Sequence, residues 1–340
     1  MKINNKLYKN KILLVTGGTG TFGKAVIDHF IKTNISEIRV FSRDEKKQYD
    51  MREKLEDIRI KYIIGDVKDK SSVDKAVYGS NYIFHAAALK QVPSCEFYPY
   101  EAYLTNVLGT ENVVQSSIEQ KVEKVVFLST DKSVYPINAM GLSKAMAEKI
   151  IISKAILKNN KKTNLTITRY GNVLLSRGSI LSKFHNQIKK NLDITITHKD
   201  MTRFIMKIED AVDLVLHAFN YGKQGEIFVQ KSNAIEIYRF ARLMKQYFNS
   251  KSKIRFIGVR HSEKLHETLV SHEEMINSKE TKNYIKIEAD VRGLNYDNYT
   301  DKGSNKNLKP AYSSKTSKKM NDKEIISLLD EIKNDYDSNE

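Results

Sequence analysis

Asp131 and Lys132 stand side by side at the end of an apolar run, with the Thr130 hydroxyl just before them. A carboxyl and an amine held together can trade protons with a substrate, if their surroundings move them from their usual protonation states. Lys144 closes the run Asn-Ala-Met-Gly-Leu-Ser-Lys at 138–144, in which Met140 is a thioether that can carry no proton. A second group of residues suits phosphate. Gly17, Gly20 and Gly23 follow one apolar run directly and open an amphipathic one. The first glycine permits a tight turn, the second lets a pyrophosphate approach the backbone, and the third lets a helix pack closely on a sheet. The helix amino end then offers N–H groups to the phosphate.

Positioning these residues takes alternating strands and helices. Apolar runs at 11–16, 37–41, 61–64, 81–85, 125–129 and 165–169 read as strands, and helical spacing fills 22–33, 45–55, 102–119 and 140–158. The reading is an α/β protein with a doubly wound parallel sheet, its ligands at the carboxyl ends of the strands. Residues 1–175 are expected to form the dinucleotide-binding domain, with room for some later segments to return to it. Shorter strands at 193–197 and 227–230, mixed with helices near 209–219 and 235–248, predict a smaller mixed α/β substrate domain over 176–278. Residues 279–340 read as a polar arm, extended to 319, and a final helix near 322–333.

Composition narrows the classes. The chain has 340 residues, 40% of them hydrophobic, and a formal net charge of +16. No apolar run approaches the roughly 18–20 residues of a membrane span, which argues against membrane insertion. The polar, lysine-bearing start and the single cysteine point to the cytoplasm. The lysines are scattered and no nucleic-acid motif accompanies them, so an anionic substrate accounts better for the charge than a nucleic acid does. No cluster of His, Asp and Glu predicts a metal. Cys95, His29 and His85 read as packed residues.

The glycine spacing is that of short-chain reductases rather than G-x-G-x-x-G. Thr19, Thr21 and Phe22 complete that turn. Ser42 and Arg43, with Lys46 nearby, stand where NAD-preferring proteins place a carboxylate, which predicts NADP over NAD. Asp66 and Val67 follow the third strand and are placed at the adenine. Ala86, Ala87 and Ala88 follow the fourth, where small residues let a dinucleotide lie against the backbone. Lys90, Asn106, Lys144 and Tyr170 complete the expected cofactor set.

Short-chain reductases carry a hydroxyl residue at the fifth strand end, then Tyr-x-x-x-Lys. Thr130 and Lys144 fit two of these positions, and Met140 takes the tyrosine's place. Together with Asp131-Lys132, the chain resembles the inverting UDP-N-acetylglucosamine 4,6-dehydratases (5-epimerases) of the extended short-chain dehydrogenase/reductase family, and in particular their capsular polysaccharide branch. The runs 87–93, 168–173, 176–179, 201–204 and 263–267 resemble that family's loops, with His261-Ser262 replacing an expected Pro-Gly. The resemblance implies hydride transfer from carbon 4 of UDP-N-acetylglucosamine, removal of the carbon-5 proton by a neutral Lys132, and loss of the carbon-6 hydroxyl assisted by a protonated Asp131. The base for the first oxidation is left open among Lys132, Thr130 and Tyr135. Lys90, Asn172, Arg203, Arg260 and Glu263 are the candidate substrate contacts, Arg203 and Arg260 for the diphosphate. A homo-oligomer, dimer or hexamer, is also implied. The alternatives are a UDP-hexose 4-epimerase and a catalytically idle binding protein.

Overall fold

The computed structural model describes residues 5–157, 160, 162–174, 178–289 and 309–337. Six parallel strands form the first half: β1 (Ile12–Thr16), β2 (Glu37–Ser42), β3 (Ile60–Ile64), β4 (Tyr82–His85), β5 (Lys124–Leu128) and β6 (Asn164–Arg169). After them come β7 (Asn172–Val173), β8 (Ile194–Ile196), β9 (Thr202–Met206), β10 (Ile227–Gln230), β11 (Ala234–Glu236) and β12 (Ile254–Phe256), then β13 (Thr268–Val270), β14 (Ser278–Glu280), β15 (Tyr284–Ile287) and β16 (Tyr312–Ser313). The main sheet runs β3-β2-β1-β4-β5-β6-β10-β15-β14. Its order reverses between β1 and β4, which opens a crevice at their carboxyl ends.

Alternation along each strand explains why helices cover both faces. Leu14, Ile83, Val125 and Phe127 enter one core, while their neighbours Leu13, Val15, Phe84 and Val126 enter the other. A third core gathers Phe184, Ile194, Phe240, Met244 and Leu328 around the helices Ile180–Lys189, Ile237–Tyr247 and Asp322–Asp337.

The stretch expected as an arm from 279 departs from that expectation. β14 and β15 form a hairpin that extends the main sheet, β15 pairing antiparallel with β10. Ile285 and Ile287 are buried there, an alternation too short to stand out among lysines. Further on, β16 pairs with β13, and Ala234 N–H donates to the Lys318 carbonyl. Residues 290–308 of the expected arm lie outside the described residues. No described helix is long and apolar enough to cross a membrane.

Candidate active site

The glycine turn has the shape that its spacing predicts. Gly17 has φ +67°, and a Cβ there would lie 2.8 Å from Ala87 Cα, so the first turn and the alanine run touch backbone to backbone. A Cβ on Gly23 would lie 2.6 Å from Gly18 Cα, whereas one on Gly20 would meet only the Gly17 carbonyl, at 3.2 Å. Gly20 begins the helix Thr21–Ile31 with no side-chain cap, which leaves its first-turn N–H groups for an anion. Phe22 stacks on Tyr170 at 4.7 Å and closes the crevice wall. Thr16 Oγ1 bonds His85 Nδ1 and accepts from Ala87 N–H, and burial pushes His85 down to about 3, so it is a neutral packed residue. This cradle of bare backbone fits a dinucleotide.

At the end of β2, Ser42 Oγ bonds Thr19 Oγ1 at 2.9 Å. Asp44, the carboxylate nearest this strand end, accepts from Lys47 N–H as a helix cap. Arg43 is 57% exposed at its side chain and lies 3.5 Å from Asp66. Lys46 instead pairs with Asp50 on the surface, so it is not directed at the ribose. Val67 is buried beneath Gly109.

Asn106 is a correction. It is completely buried, accepts from Leu89 N–H and donates to the Leu89 carbonyl and Ser143 Oγ, so it braces the 86–90 loop instead of reaching the cofactor. It sits in a widened helical turn, Tyr103–Leu108, a distortion often found at functional sites. Ala86, Ala87 and Ala88 line the loop and Lys90 is exposed on it.

Beyond β5, Thr130 caps one turn of tight helix, Asp131–Ser133. This turn is zipped to the neighbouring strand, since Ser129 N–H donates to Thr168 O and Asp131 N–H to Tyr170 O. The helix Ala139–Ile156 presses on it from below: a Cβ on Gly141 would come within 2.3 Å of the Lys132 carbonyl oxygen. Asn138 caps this helix through Gly141 N–H. Thr130 Oγ1 and Lys132 Nζ both donate to Asp131 Oδ1, at 2.9 and 3.0 Å. Asp131 is fully buried, and its Oδ2 has no hydrogen-bond partner.

Lys132 differs from the expectation of a neutral amine. Burial alone would lower its pKa, but the Asp131 and Glu267 carboxylates outweigh that and raise it, so the free protein holds an ammonium. Glu267, in the run 263–267, lies 3.6 Å from Lys132 and was not among the expected site residues. Nothing in that run says which of its two glutamates reaches the turn. Tyr170 is pushed well above 10 by burial, and by Asp131 in the same direction, and stays a phenol. Tyr135 is removed from candidacy as the missing base: its hydroxyl donates to Glu273 and accepts from His272 N–H. Met140 packs with Cys95 and Ala102 in a small apolar cluster, and burial pushes the Cys95 thiol up to about 11.

Lys144 is 6% exposed, donates to the Leu128 carbonyl at 2.8 Å and lies 4.4 Å over the Phe127 ring. Burial lowers it to about 7, against only a partial pull from Glu148. A lysine with a depressed folded pKa destabilises the fold fully below that value, and the penalty fades as pH rises towards its ordinary ~10.4. Lys144→Met is therefore expected to stabilise the ligand-free protein by on the order of 3 kcal/mol at pH 6. The gain should shrink from pH 7 upwards, as thermal melts at pH 6 and 9 would read.

On the substrate side, Asn172 Oδ1 is buried without a partner, as a group waiting for a donor would be. Arg203 also departs from its expected role. It is 5% exposed and donates to the carbonyls of Thr202, Lys264 and Leu265, so it staples the 263–267 run to β9 and is not displayed to a diphosphate. Arg260, 56% exposed at its side chain, pairs with Glu263 through two hydrogen bonds. Burial would raise Glu263, but Arg260, Arg203 and the Thr197 hydroxyl hold its carboxyl below the usual range. Lys183, also unforeseen, faces this pair, and burial together with Arg260 lowers its pKa. His261-Ser262 docks on Glu96, with Ser262 in the left-handed region at φ +59° and its carbonyl accepting from Asn138. Ser176 and Arg177 lie outside the described residues. Among the described residues no group of three or more His, Cys, Asp or Glu is arranged for a metal.

A family model described as a polysaccharide biosynthesis protein matches residues 13–289. Proteins named UDP-glucose 4-epimerase from Rickettsia rickettsii (strain Sheila Smith) and Rickettsia bellii (strain RML369-C) are 54% and 55% identical over 328 residues, covering 95% of this chain and 96% of each relative. The X-ray structure of Pen from Bacillus thuringiensis matches with a TM-score of 0.87 at 35% identity, over 95% of this chain and 97% of that one. DesIV, a dTDP-glucose 4,6-dehydratase from Streptomyces venezuelae with NAD and TYD bound, matches with a TM-score of 0.68 over 75% of this chain and 86% of that one. At 19% identity, that likeness speaks for the fold alone.

Proposed function

The chain belongs to the polysaccharide biosynthesis protein family, enzymes of the nucleotide-sugar epimerase and dehydratase type with a Rossmann-like sheet, and on that premise we propose that it dehydrates UDP-N-acetylglucosamine across carbons 4 to 6 with inversion at carbon 5. The observation that carries this reading is the Asp131–Lys132 pair at the end of β5, its carboxylate buried and its lysine partly exposed, with a second carboxylate, Glu267, against the lysine. Epimerisation at carbon 4 needs one base for one hydroxyl. Removing a carbon-5 proton and a carbon-6 hydroxyl needs more acid–base capacity, and this cluster has it.

When bound, the nicotinamide would supply a reversible hydride acceptor, held by Gly17, Gly20, Gly23, Ser42, Arg43 and Lys144. The chain's own residues do the rest. Thr130 passes a hydroxyl proton towards Asp131 Oδ1 along a hydrogen bond already formed. Asp131 Oδ2, buried and unpartnered, meets a hydroxyl of the sugar and assists its departure. Lys132, once discharged, takes the proton made acidic by the carbon-4 ketone. Arg260, Glu263 and Asn172 hold the nucleotide end, with Lys183 close to Arg260.

Incubation with UDP-N-acetylglucosamine in deuterated water tests this. Loss of one water with deuterium at carbon 5 and an inverted configuration is the expected product. The second reading, a 4-epimerase acting on UDP-glucose, is favoured by the names of the Rickettsia relatives. It predicts an epimer of unchanged mass and no deuterium at carbon 5.

NADP is the cofactor this reading takes, because Arg43 is exposed beside Ser42 while Asp44 is spent on a helix cap. Arg43→Ala is expected to weaken NADP binding by about 10- to 100-fold, the loss of one charge-assisted contact. NAD binding should change by less than about threefold, since its ribose lacks the phosphate. Fluorescence titration of both cofactors checks this, and equal losses would remove Arg43 from the role.

A further inference from the structure

The two carboxylates beside Lys132 are not equivalent. Asp131 Oδ1 accepts two hydrogen bonds, from Thr130 and from Lys132. Glu267 is 2% exposed, yet its cations stand off: Lys132 Nζ and Arg203 Nε lie 3.6 and 3.9 Å from Oε1, and Lys264 Nζ lies 3.8 Å from Oε2. All three exceed hydrogen-bond length, and Oε2 is buried without a partner. Arg203 and Lys264 are already committed to backbone carbonyls, Lys264 to that of Val134. The Glu267 backbone is pinned by Ser314, whose hydroxyl accepts its N–H and whose N–H donates to its carbonyl. Only the Lys132 ammonium, on its four-carbon stem, can readily close the gap, by less than about 1 Å.

We propose that Glu267 is a positioning residue that discharges Lys132, taking one proton from its ammonium so that the neutral amine can act on carbon 5; this rests on the dehydratase reading above. One N–H bond of Lys132 breaks with its electron pair left on nitrogen, and one O–H bond forms on Glu267, without change of net charge. Lys132 then takes the carbon-5 proton. Glu267 releases its proton to solvent as product leaves, matching the proton that the opposite face of carbon 5 receives. Burial raises Glu267, Asp131 pushes the same way, and Lys132, Arg203 and Lys264 oppose them. Glu263 stands across Arg203 at 3.7 Å, and the Tyr170 phenol lies beside Asp131.

A proton exchanged inside a pair is insensitive to bulk pH, whereas loss of a lysine proton to solvent rises about tenfold per pH unit. The test compares full-length wild type, Glu267→Gln and Glu267→Asp between pH 6.5 and 8.5. Reductive methylation of Lys132, read by peptide mass spectrometry, reports the neutral amine without turnover, and kcat and KM are measured with UDP-N-acetylglucosamine. Wild type and Glu267→Asp should vary by less than about threefold across this range, and Glu267→Gln by about 100-fold. At pH 7, Glu267→Gln should also lose about 100-fold in kcat with KM within about twofold. Wild-type methylation that climbs tenfold per pH unit, or parallel profiles for wild type and Glu267→Gln, would overturn the proposal. Wild type that does not turn over the sugar would fail the functional reading instead, and the methylation profiles would still decide the role of Glu267.

Discussion

Lys132→Met is expected to lower kcat by about a thousandfold while leaving UDP-sugar affinity within a few-fold, the range seen when a general acid or base is removed. On the proposed mechanism the lysine acts at the reacting end of the sugar, and it pairs with Asp131 and Glu267 rather than with the residues proposed for the nucleotide, so binding should survive. Asp131→Asn added to Lys132→Met should cost little more, because residues that act as a unit are not additive. The variant should also reveal itself in stability. Lys132 is one of the groups that restrain the raised pKa of Glu267, so its removal lets that pKa climb further. An acid with a raised folded pKa holds its proton where the unfolded chain has released it. Its cost is absent below about pH 4 and grows as pH rises through the folded value. Lys132→Met should therefore lose more stability at pH 8 than at pH 5.5, by thermal melts. A constant difference would show that Glu267 does not feel this lysine.

Arg169→Met is expected to cost about 3–5 kcal/mol of stability, the range for breaking a buried ion network from one side. Arg169 is 3% exposed and grips two carboxylates in forked fashion: Glu148 at 2.5 and 2.8 Å and Glu274 at 2.7 and 2.8 Å. Burial works against its charge, but these acids more than offset it and raise its pKa. Glu148 also accepts from Ser129 and Ser133, so the network sits directly beneath the Asp131–Lys132 turn. Substituting the arginine strands Glu148 in the interior and takes the ion pair from the half-buried Glu274. Arg169→Lys should recover only part of the loss, since an ammonium cannot make two forks. Glu148→Gln combined with Arg169→Met should cost less than the sum of the two, as measured by urea denaturation. Activity should fall in parallel, through the loosened turn.

Much of this architecture could be read along the chain. The first six strands occur within a residue of the apolar runs that announced them, because alternation and β-branched runs are local properties. The glycine turn was equally legible: Gly17 and Gly23 are required by backbone contacts with near neighbours and with the β4 end, and no larger residue fits. That Met140 can carry no proton followed from its chemistry, while its standing in a tyrosine's place was implied by the resemblance.

What sequence could not assign were interactions whose partners lie far apart. Arg203 has the type expected of a phosphate ligand, yet the fold surrounds it with carbonyls of its own and the neighbouring segment. Asn106 has a ligand's chemistry and a brace's position. The hairpin at 278–287 hid among lysines, because only the exposed edge beyond β10 makes two short strands worth forming. Composition, periodicity and turn chemistry thus determined the doubly wound sheet, the glycine turn after β1 and the place of Asp131 and Lys132 at the end of β5. Tertiary structure decided that Lys132 is charged, that Glu267 is its second partner and that Arg203 is a staple. Protonation and hydrogen bonding depend on what burial brings within a few ångströms, and residue order does not state that distance.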